Sequence, residues 1–192
     1  MSETNDKACE GKAREGKAGG DSARRRMMVF RAGEAGEVSP EMMPREGIDD
    51  SVLAGFSLLA EAGVTEGLGE QTRLLFKEPG DTGMSLLYAW FKSGYILPFH
   101  THDTDCLYYV LGGELRMGSH VLGKGDGMFI PANHGYGYEA GPEGVEILEF
   151  RNATHFNLAF RANSESRWRS IADSFRSRGA IWAEETVPPS ER

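Results

Sequence analysis

The stretch GYILPFHTHDTDCLYYVLGGEL, residues 94–115, contains the pattern that decides the fold and the candidate site. His100 and His102 (the histidine pair) are two residues apart, and on a strand such residues project from the same face. Two imidazoles on one face can bind a single metal ion if neighbouring strands supply the remaining ligands. The alternative is that both rings face solvent at the rim of a sheet. Because the preceding run GYILPF is apolar, we predict that the pair lies at the end of a buried strand.

Short apolar or alternating segments surround this stretch on both sides. Examples are TRLLFKE, MSLLYAWFK, VEILEFR and FNLAFRA, and residues such as Gly, Pro, Asp and Asn separate the segments. The segments recur at intervals of roughly eight to twelve residues, which is typical of an all-β sandwich or barrel. Alternating β/α units would need longer helical segments between the strands. The sequence therefore predicts an all-β fold.

Two helices are predicted outside the strands. In GIDDSVLAGFSLLAEAG, residues 47–63, Asp49 or Asp50 can cap a short helix with apolar residues at helical spacing. SESRWRSIADSFRSRG, residues 164–179, predicts a second, polar helix with one apolar face that closes the fold. The segment after it is predicted to be irregular, with Trp182 packing against a neighbouring element.

Residues 1–26 differ in composition from the rest of the chain, because they contain no Val, Ile, Leu, Phe, Trp or Tyr. Such a segment cannot bury enough apolar surface to offset its ordering entropy, so we predict a disordered extension before a single domain at 27–192. The extension holds 7 of the 21 basic and 5 of the 29 acidic side chains, which leaves 14 basic and 24 acidic ones in the domain. A domain this acidic is a poor nucleic-acid binder, because binding phosphates requires clustered Lys and Arg.

Cysteine content and hydropathy set the expected location. Cys9 and Cys106 are the two cysteines, and Cys9 falls in the predicted disordered extension, so a structural disulfide is not expected. No apolar run approaches the roughly 18 residues that a membrane helix needs. The first residues lack the apolar core of a signal peptide, and a cytoplasmic location without a membrane partner is the expectation.

The quoted stretch resembles the first conserved motif of the cupin superfamily, Gly-x5-His-x-His-x(3,4)-Glu-x6-Gly, at Gly94 and the histidine pair. GKGDGMFIPANHGYGY, residues 123–138, resembles the second motif, Gly-x5-Pro-x-Gly-x2-His, at Gly125 and Pro131. The resemblance covers residues 72–160. It implies a small antiparallel β-barrel, of the double-stranded β-helix or jelly-roll kind, that commonly dimerises. It also implies a metal inside, because many cupins hold Fe, Mn, Ni, Zn or Cu there.

The chain departs from both motifs at positions where the family has ligands. Cys106 stands in place of the first-motif Glu, and the adjacent Asp105 has the opposite strand parity. Tyr136 stands in place of the second-motif His, and His134 lies two residues before it. If the strand begins at 134, both side chains face the interior. The third ligand is then either His134, as a neutral imidazole, or Tyr136, whose phenol must first lose a proton with a pKa of about 10.

Cys106 has three interpretations. As a thiolate ligand it would favour Zn or Cu(I). In thiol dioxygenases, which are also cupins, a Cys replaces the motif Glu beside an iron that three histidines hold, and a Tyr lies nearby. Tyr136 or Tyr138 would be that Tyr here, although the spacing in this chain differs by one residue. The third interpretation is a small buried hydrophobe on a strand.

These features lead to several hypotheses about function. The first is a metal-dependent enzyme acting on a small organic substrate, above all a non-haem Fe(II) oxygenase. The histidine pair, His134 and Cys106 would be the metal ligands, with Fe(II) favoured over Zn, Mn or Ni, and Tyr136 or Tyr138 would move a proton. The alternatives are a metal-dependent lyase or isomerase, or a non-catalytic small-molecule-binding barrel with a degraded metal site. A homodimer is the expected assembly.

Overall fold

The protein is described here by a computed structural model, which covers residues 26–63, 67–161 and 163–192. Residues 1–25, and with them Cys9 and nearly all of the predicted extension, lie outside the described residues. The described ranges contain nine strands and two α-helices. The strands are β1 (Arg45–Glu46), β2 (Glu70–Lys77), β3 (Ser85–Phe91), β4 (His100–Thr101), β5 (Cys106–Met117), β6 (His120–Gly123), β7 (Gly127–Ile130), β8 (Glu139–Arg151) and β9 (Leu158–Phe160), and the helices are α1 (Asp50–Glu61) and α2 (Glu165–Glu184).

The strands form two sheets that enclose one interior. The larger sheet has the order β2-β3-β8-β5-β6, with β7 also paired to β5, and the smaller one has the order β1-β9-β4. Neighbouring strands are antiparallel except β1 and β9, which run parallel. The antiparallel β-barrel that the sequence predicts, with one helix before it and one after it, is confirmed.

Alternating burial along β5 shows which face of the larger sheet points inward. Cys106, Tyr108 and Val110 are buried, whereas Leu107 and Tyr109 between them are 51% and 45% exposed. Successive side chains on a strand leave opposite faces, so the first set enters the barrel and the second covers its outside. The interior face of β5 is the one that carries the candidate site.

The outer face of β8 is partly covered by the C-terminal residues. Glu146 is buried there, although its side chain leaves the sheet on the side opposite to the barrel interior. Its Oε1 accepts a hydrogen bond of 2.6 Å from the Tyr88 hydroxyl, and its Oε2 accepts one of 2.6 Å from the backbone N–H of Ser190. Tyr88 and the tail therefore each satisfy one oxygen of a buried carboxylate.

The helices begin where the sequence predicts. Asp49 caps α1 by accepting a hydrogen bond of 2.9 Å from the Val52 N–H, and Ser164 caps α2 through the Arg167 N–H at 3.2 Å. Capping side chains of this kind satisfy the first free N–H groups of a helix. α2 does not end at Gly179, as the sequence suggests, but runs to Glu184.

Tertiary contacts explain the longer helix. Trp182, in the last turn of α2, is fully buried, and its indole N–H donates to the Ser93 carbonyl at 2.8 Å. Its ring lies 5.8 Å from that of Tyr95 and 4.8 Å from that of Phe175, measured between centroids. The predicted packing of Trp182 is thus confirmed, and this packing holds the last turn against the low helix propensity of a glycine.

The helices of the described ranges differ from membrane-spanning helices. Neither α1 nor α2 combines the length and the apolar composition that crossing a bilayer requires, and no other helix of those ranges does.

Candidate functional site

The histidine pair lies at the end of the smaller sheet, with both rings turned into the barrel. His100 is 3% exposed and His102 7% exposed, and their ring centroids are 5.0 Å apart. His100 pairs directly with Tyr136 across the barrel mouth, since the backbone N–H of each donates to the carbonyl of the other at 3.0 Å. Directly paired residues project from the same face of a ladder. The predicted burial of the pair is what the structure shows, but the run before it does not form the expected strand, because β4 begins at His100 and ends at Thr101.

Both imidazoles are oriented by the backbone. The Nδ1 of His100 lies 2.8 Å from the Pro98 carbonyl oxygen, and the Nδ1 of His102 is hydrogen-bonded to the Asn157 carbonyl oxygen. A carbonyl oxygen can only accept a hydrogen bond, so each ring carries its proton on Nδ1. In the neutral ring the lone pair is then on Nε2, and this fixes which nitrogen can serve as ligand or base.

Burial keeps both rings neutral at pH 7. The pKa of His100 is lowered to about 4, mainly by loss of solvation. The hydrogen bond to Pro98 opposes this decrease, and the Arg151 charge contributes to it. For His102, loss of solvation and then the charges of Arg151 and His100 lower the pKa to about 2. Burial disfavours a charged imidazole, and a nearby guanidinium adds like-charge repulsion.

Three tyrosines fill the space beside the pair. The ring of Tyr136 lies 4.4 Å from that of His100 between centroids and stacks on that of Tyr138 at 6.4 Å. The hydroxyls of Tyr136 and Tyr108 are 2.7 Å apart, whereas the buried hydroxyl of Tyr138 has no hydrogen-bond partner. Loss of solvation, reinforced by the Glu149 charge, raises the pKa of all three phenols, so each keeps its proton at pH 7.

A second group of buried polar side chains lies on β5 and β8, directly across the ladder from each other. Cys106 is the register partner of Arg151, and Tyr108 is the partner of Glu149. Arg151 Nη1 donates to Cys106 Sγ at 2.6 Å, and Arg151 Nη2 lies 3.0 Å from Glu149 Oε2. The guanidinium also lies over the ring of Phe156, 4.2 Å from its centroid. We call Cys106, Glu149 and Arg151 the charged cluster.

Electrostatics within the charged cluster are governed by burial. Loss of solvation raises the pKa of the Glu149 carboxyl, while Arg151 and a hydrogen bond from Tyr108 oppose the increase. Burial alone would lower the pKa of Arg151, but Glu149 and then Cys106 raise it, so the guanidinium stays charged. Burial raises the pKa of the Cys106 thiol, which stays protonated despite the nearby guanidinium. Arg151 Nη2 is close enough for the ion pair but is not aligned for a hydrogen bond.

His134 is not brought to the histidine pair. It lies exposed in the turn that follows Pro131, where its backbone N–H donates to the Pro131 carbonyl at 3.1 Å. Asn133 adopts a left-handed conformation with φ of 61°, and its N–H donates to the His102 carbonyl. Because the chain turns there, regular pairing with β4 begins at Tyr136 and not at His134. Of the two alternatives that the sequence leaves open, Tyr136 is the one that lies beside His100.

An apolar cavity of about 370 Å³ lies between the barrel mouth and the two helices. His100 forms part of its wall, and it is the member of the histidine pair that lines the cavity. The other walls come from α1, α2, β1, β9, residues 67–70 and the segment before β4, and they include the charged residues Arg45 and Glu70. Among the lining side chains are Phe56, Leu59, Tyr95, Leu97, Phe160 and Phe175.

Comparison with known proteins rests on solved structures, because no protein-family model and no curated protein sequence matches this chain. The polyketide cyclase RemF from Streptomyces resistomycificus is 18% identical, with a TM-score of 0.49 over 74% of this chain and 91% of that one. An RmlC-like cupin from Shewanella frigidimarina NCIMB 400 is 23% identical, with a TM-score of 0.40 over 46% and 80% of the two chains. KdgF from Halomonas sp. is 22% identical, with a TM-score of 0.40 over 46% and 84%.

The strand order, the histidine pair at the barrel mouth and the two glycine-containing motifs decide the architecture. The protein has a cupin fold. In this cupin barrel the positions that depart from the motifs, Cys106 and Tyr136, both lie buried in the interior beside the histidine pair or the charged cluster.

The cupin fold implies a metal ion, but the side chains around the histidine pair fit one only in part. The histidine pair fits, since hydrogen bonds from Nδ1 to backbone carbonyls are typical of histidines that ligate through Nε2. The remaining positions do not fit. Cys106 is a protonated thiol that accepts from Arg151, and Glu149 is ion-paired. Within 26–63, 67–161 and 163–192, no group of three His, Cys, Asp or Glu side chains is arranged to hold a metal ion.

Arg151 was not among the residues singled out from the sequence. The signal was present in VEILEFR, where Val145, Ile147, Glu149 and Arg151 alternate along the strand. Two apolar residues followed by two opposite charges at the same parity predict an ion pair on the inner face. The apolar parity of β8 therefore identifies both residues, once the strand is known to be buried.

Proposed function

We propose that the protein is an enzyme that binds a small, largely apolar organic molecule in the cavity and transfers a proton on it through His100. The observation that carries this proposal is the position of His100. It is a neutral imidazole with its lone pair on Nε2, in the wall of a cavity that is lined mainly by apolar side chains, with Arg45 and Glu70 as its charged lining residues. Ligand sites are commonly apolar clefts in which a few placed polar groups determine orientation.

The cavity supports a restricted substrate class. A volume of about 370 Å³ is near the lower end of the range of small-molecule sites, which favours a molecule of one or two rings. The aromatic walls favour a flat, uncharged body that packs by dispersion and ring contacts. The polar end of such a molecule, a hydroxyl or a carbonyl with an acidic neighbouring C–H, would face His100.

Proton transfer needs a donor as well as an acceptor. Tyr136 is beside His100 and protonated at pH 7, and its hydroxyl shares a hydrogen bond with that of Tyr108. In the proposed reaction His100 Nε2 accepts a proton from the substrate and Tyr136 donates one to the developing oxyanion. The Tyr108 hydroxyl holds that of Tyr136 in place through their hydrogen bond, and the proton that His100 has gained returns to the Tyr136 phenolate when the product leaves. This chemistry corresponds to a lyase or an isomerase.

The test is a ligand screen that probes the cavity and the imidazole separately. Cyclic ketones, phenols and their carboxylated analogues are screened by the increase in melting temperature, and compounds that bind are followed by NMR for exchange of C–H protons with solvent deuterium. Ala60→Met extends a side chain from the α1 wall of the cavity and should abolish binding. Ala54→Met, exposed on the same helix and outside the cavity, is its matched control.

His100→Gln should retain binding and lose exchange, whereas His120→Gln, an exposed histidine on β6, should change neither. Binding without any exchange would favour the non-catalytic binding barrel. Failure of all compound classes to bind, with the Ala60→Met and wild-type proteins indistinguishable, would contradict the proposal.

An Fe(II) oxygenase is the second candidate. It is favoured by one observation, the hydrogen bonds from Nδ1 of both imidazoles to backbone carbonyls, which leave the lone pair of each ring on Nε2. It ranks second because the described residues supply two ligands and not three. Oxygen uptake by Fe(II)-reconstituted protein with thiols and phenols, compared with the His100→Gln variant, distinguishes it from the first candidate.

A homodimer stays a prediction, and one surface supports it. Leu107, Tyr109 and Phe129 are 51%, 45% and 62% exposed on the outer face of β5 and β7, where Leu107 and Phe129 are register partners. Neighbouring exposed apolar side chains of this size favour a partner surface. Sedimentation equilibrium of the wild type and of Leu107→Lys should give a dimer and a monomer, respectively, and a monomeric wild type would contradict the prediction.

A further inference from the structure

We propose that Arg151 takes the place of a metal ion as the positive charge of this barrel, and that the interior therefore does not retain a divalent cation at the histidine pair. This proposal does not depend on the identity of the cavity ligand. It concerns a property of the interior that can be measured in the absence of any organic substrate.

Charge is the first argument. The Arg151 side chain is fully buried, and its guanidinium contacts Phe156, whose ring lies 5.6 Å from that of His102. A guanidinium cannot be deprotonated at ordinary pH, so its charge is permanent. Two cations within a few ångströms repel each other strongly where water is excluded. A metal bound to the histidine pair would share the barrel interior with this fixed charge, with the Phe156 ring in contact with both the guanidinium and His102.

The second argument is that the interior is already neutral as a whole. Glu149 is the anion that faces Arg151, with Nη2 to Oε2 at 3.0 Å, and Cys106 accepts from Nη1 as a neutral thiol. A divalent ion would add two positive charges without a carboxylate to balance them. Buried charge without a partner is strongly unfavourable.

The third argument concerns the two positions at which the chain departs from the cupin motifs. Each of them contributes to the arrangement around Arg151 or the histidine pair. Cys106, in place of a carboxylate, offers the guanidinium an acceptor, and Tyr136, in place of an imidazole, is hydrogen-bonded to Tyr108. The same two substitutions that remove metal ligands thus build contacts within the interior.

The experiment begins with the wild-type protein, which needs no variant to fold. It is stripped with chelator, titrated with Fe(II), Mn(II), Ni(II) and Zn(II) under anaerobic conditions, and followed by calorimetry, metal analysis after desalting, and melting temperature. We expect substoichiometric metal after desalting and no increase in melting temperature. One ion per chain, lost in His100→Gln/His102→Gln, would overturn the proposal.

The role of the Arg151 charge is tested in a background that restores the ligands. Cys106→Glu/Tyr136→His supplies both motif ligands while keeping Arg151 and Glu149. Adding Arg151→Met and Glu149→Gln removes the fixed charge and its counter-ion together. We expect the fourfold variant to bind Zn(II) on the order of tenfold more tightly than the double variant, because the like-charge repulsion is gone.

A matched control removes an ion pair of the same kind from the surface. Arg116→Met and Glu114→Gln remove the contact between two exposed side chains at the far end of β5. Added to the Cys106→Glu/Tyr136→His background, they should leave Zn(II) affinity unchanged. Equal Zn(II) affinity of the double and fourfold variants, both with cooperative thermal unfolding, would overturn the assignment of this role to Arg151.

Discussion

Two regions of the molecule meet at His100, and they differ in what their side chains contact. On one side is the barrel interior, where the buried side chains of the charged cluster and the tyrosines contact one another. On the other side is the cavity between barrel and helices, which is apolar and large enough for a small molecule. In the interior most polar side chains contact one another, whereas His100 is the one histidine among the residues that line the cavity, together with Arg45 and Glu70. The difference separates what holds this barrel together from what it can act upon.

The largest expected effect comes from breaking the interior. Arg151→Met leaves Glu149 buried without its counter-ion, and removing one partner of a buried ion pair is destabilising by about 3–5 kcal/mol. The free energy of unfolding from urea denaturation at pH 7 measures this loss. Arg151→Met/Glu149→Gln should recover part of it, because no charge is then left unpaired.

An exposed ion pair provides the scale for comparison. Arg169 and Glu165 form an i,i+4 pair on the outside of α2, and Arg169→Met should lower the free energy of unfolding by only about 0.3–0.5 kcal/mol. If Arg151→Met and Arg169→Met were equally mild, the charged cluster would not be a structural part of the barrel.

The next effect is a dependence of the free energy of unfolding on pH, which arises from the histidine pair, where the two regions meet. In the unfolded chain each histidine titrates near 6.5, but burial lowers the pKa of His100 to about 4 and that of His102 to about 2. At pH values between the folded-state and unfolded-state pKa, the unfolded chain binds more protons than the folded protein. Stability therefore falls as the pH is lowered from 7 to 5. Each histidine should account for about 2 kcal/mol of the decrease at pH 5.

Urea denaturation at pH steps of half a unit measures the slope of the free energy of unfolding against pH. His100→Gln/His102→Gln should flatten it, whereas His120→Gln, on the exposed strand β6, should leave it as in the wild type. Glu149 acts in the opposite sense, because a raised carboxyl pKa lets the folded state take up a proton first as the pH falls. A slope that persists in the double variant would place the titrating groups outside the histidine pair.

Features set by local chemistry were predictable from the sequence. The cap at Asp49, the alternating burial of β5 and the shared face of the histidine pair each depend on neighbouring residues alone. The strand segments with their turn residues were enough for an antiparallel barrel. The motif spacing then located Cys106 and Tyr136 in the interior, and both are buried there.

Features set by long-range pairing were not predictable in the same way. Strand parity allowed His134 and Tyr136 alike to face inward, and the choice depends on the turn at Asn133 and on pairing with His100. The extension of α2 beyond Gly179 depends on contacts of Trp182 with residues about 90 positions away. The cavity is formed by six separate parts of the chain, so no single segment contains a signal for it.

The last prediction tests whether α1 and α2, which cover one side of the cavity, are packed as tightly as the barrel interior. Gly55 on α1 is buried, and a Cβ added there would overlap the indole of Trp168 on α2, which is itself 1% exposed. Gly55→Ala should therefore destabilise the protein by about 1–3 kcal/mol through overpacking, although alanine is the better helix former. Gly179→Ala on α2 meets only Leu68 at an ordinary distance of 3.5 Å and should stabilise by about 0.5–1 kcal/mol.

The free energy of unfolding should therefore change in opposite directions in Gly55→Ala and Gly179→Ala, and this comparison shows how tightly α1 and α2 are packed. Trp168 also contacts Phe56, a cavity wall residue whose ring lies 5.8 Å away, so Gly55→Ala should weaken ligand binding as well as stability. Gly179 does not line the cavity, and its replacement should leave binding unchanged. If both variants were stabilised to the same extent, α1 and α2 would be loosely packed, and the cavity would owe its shape to the ligand and not to the fold.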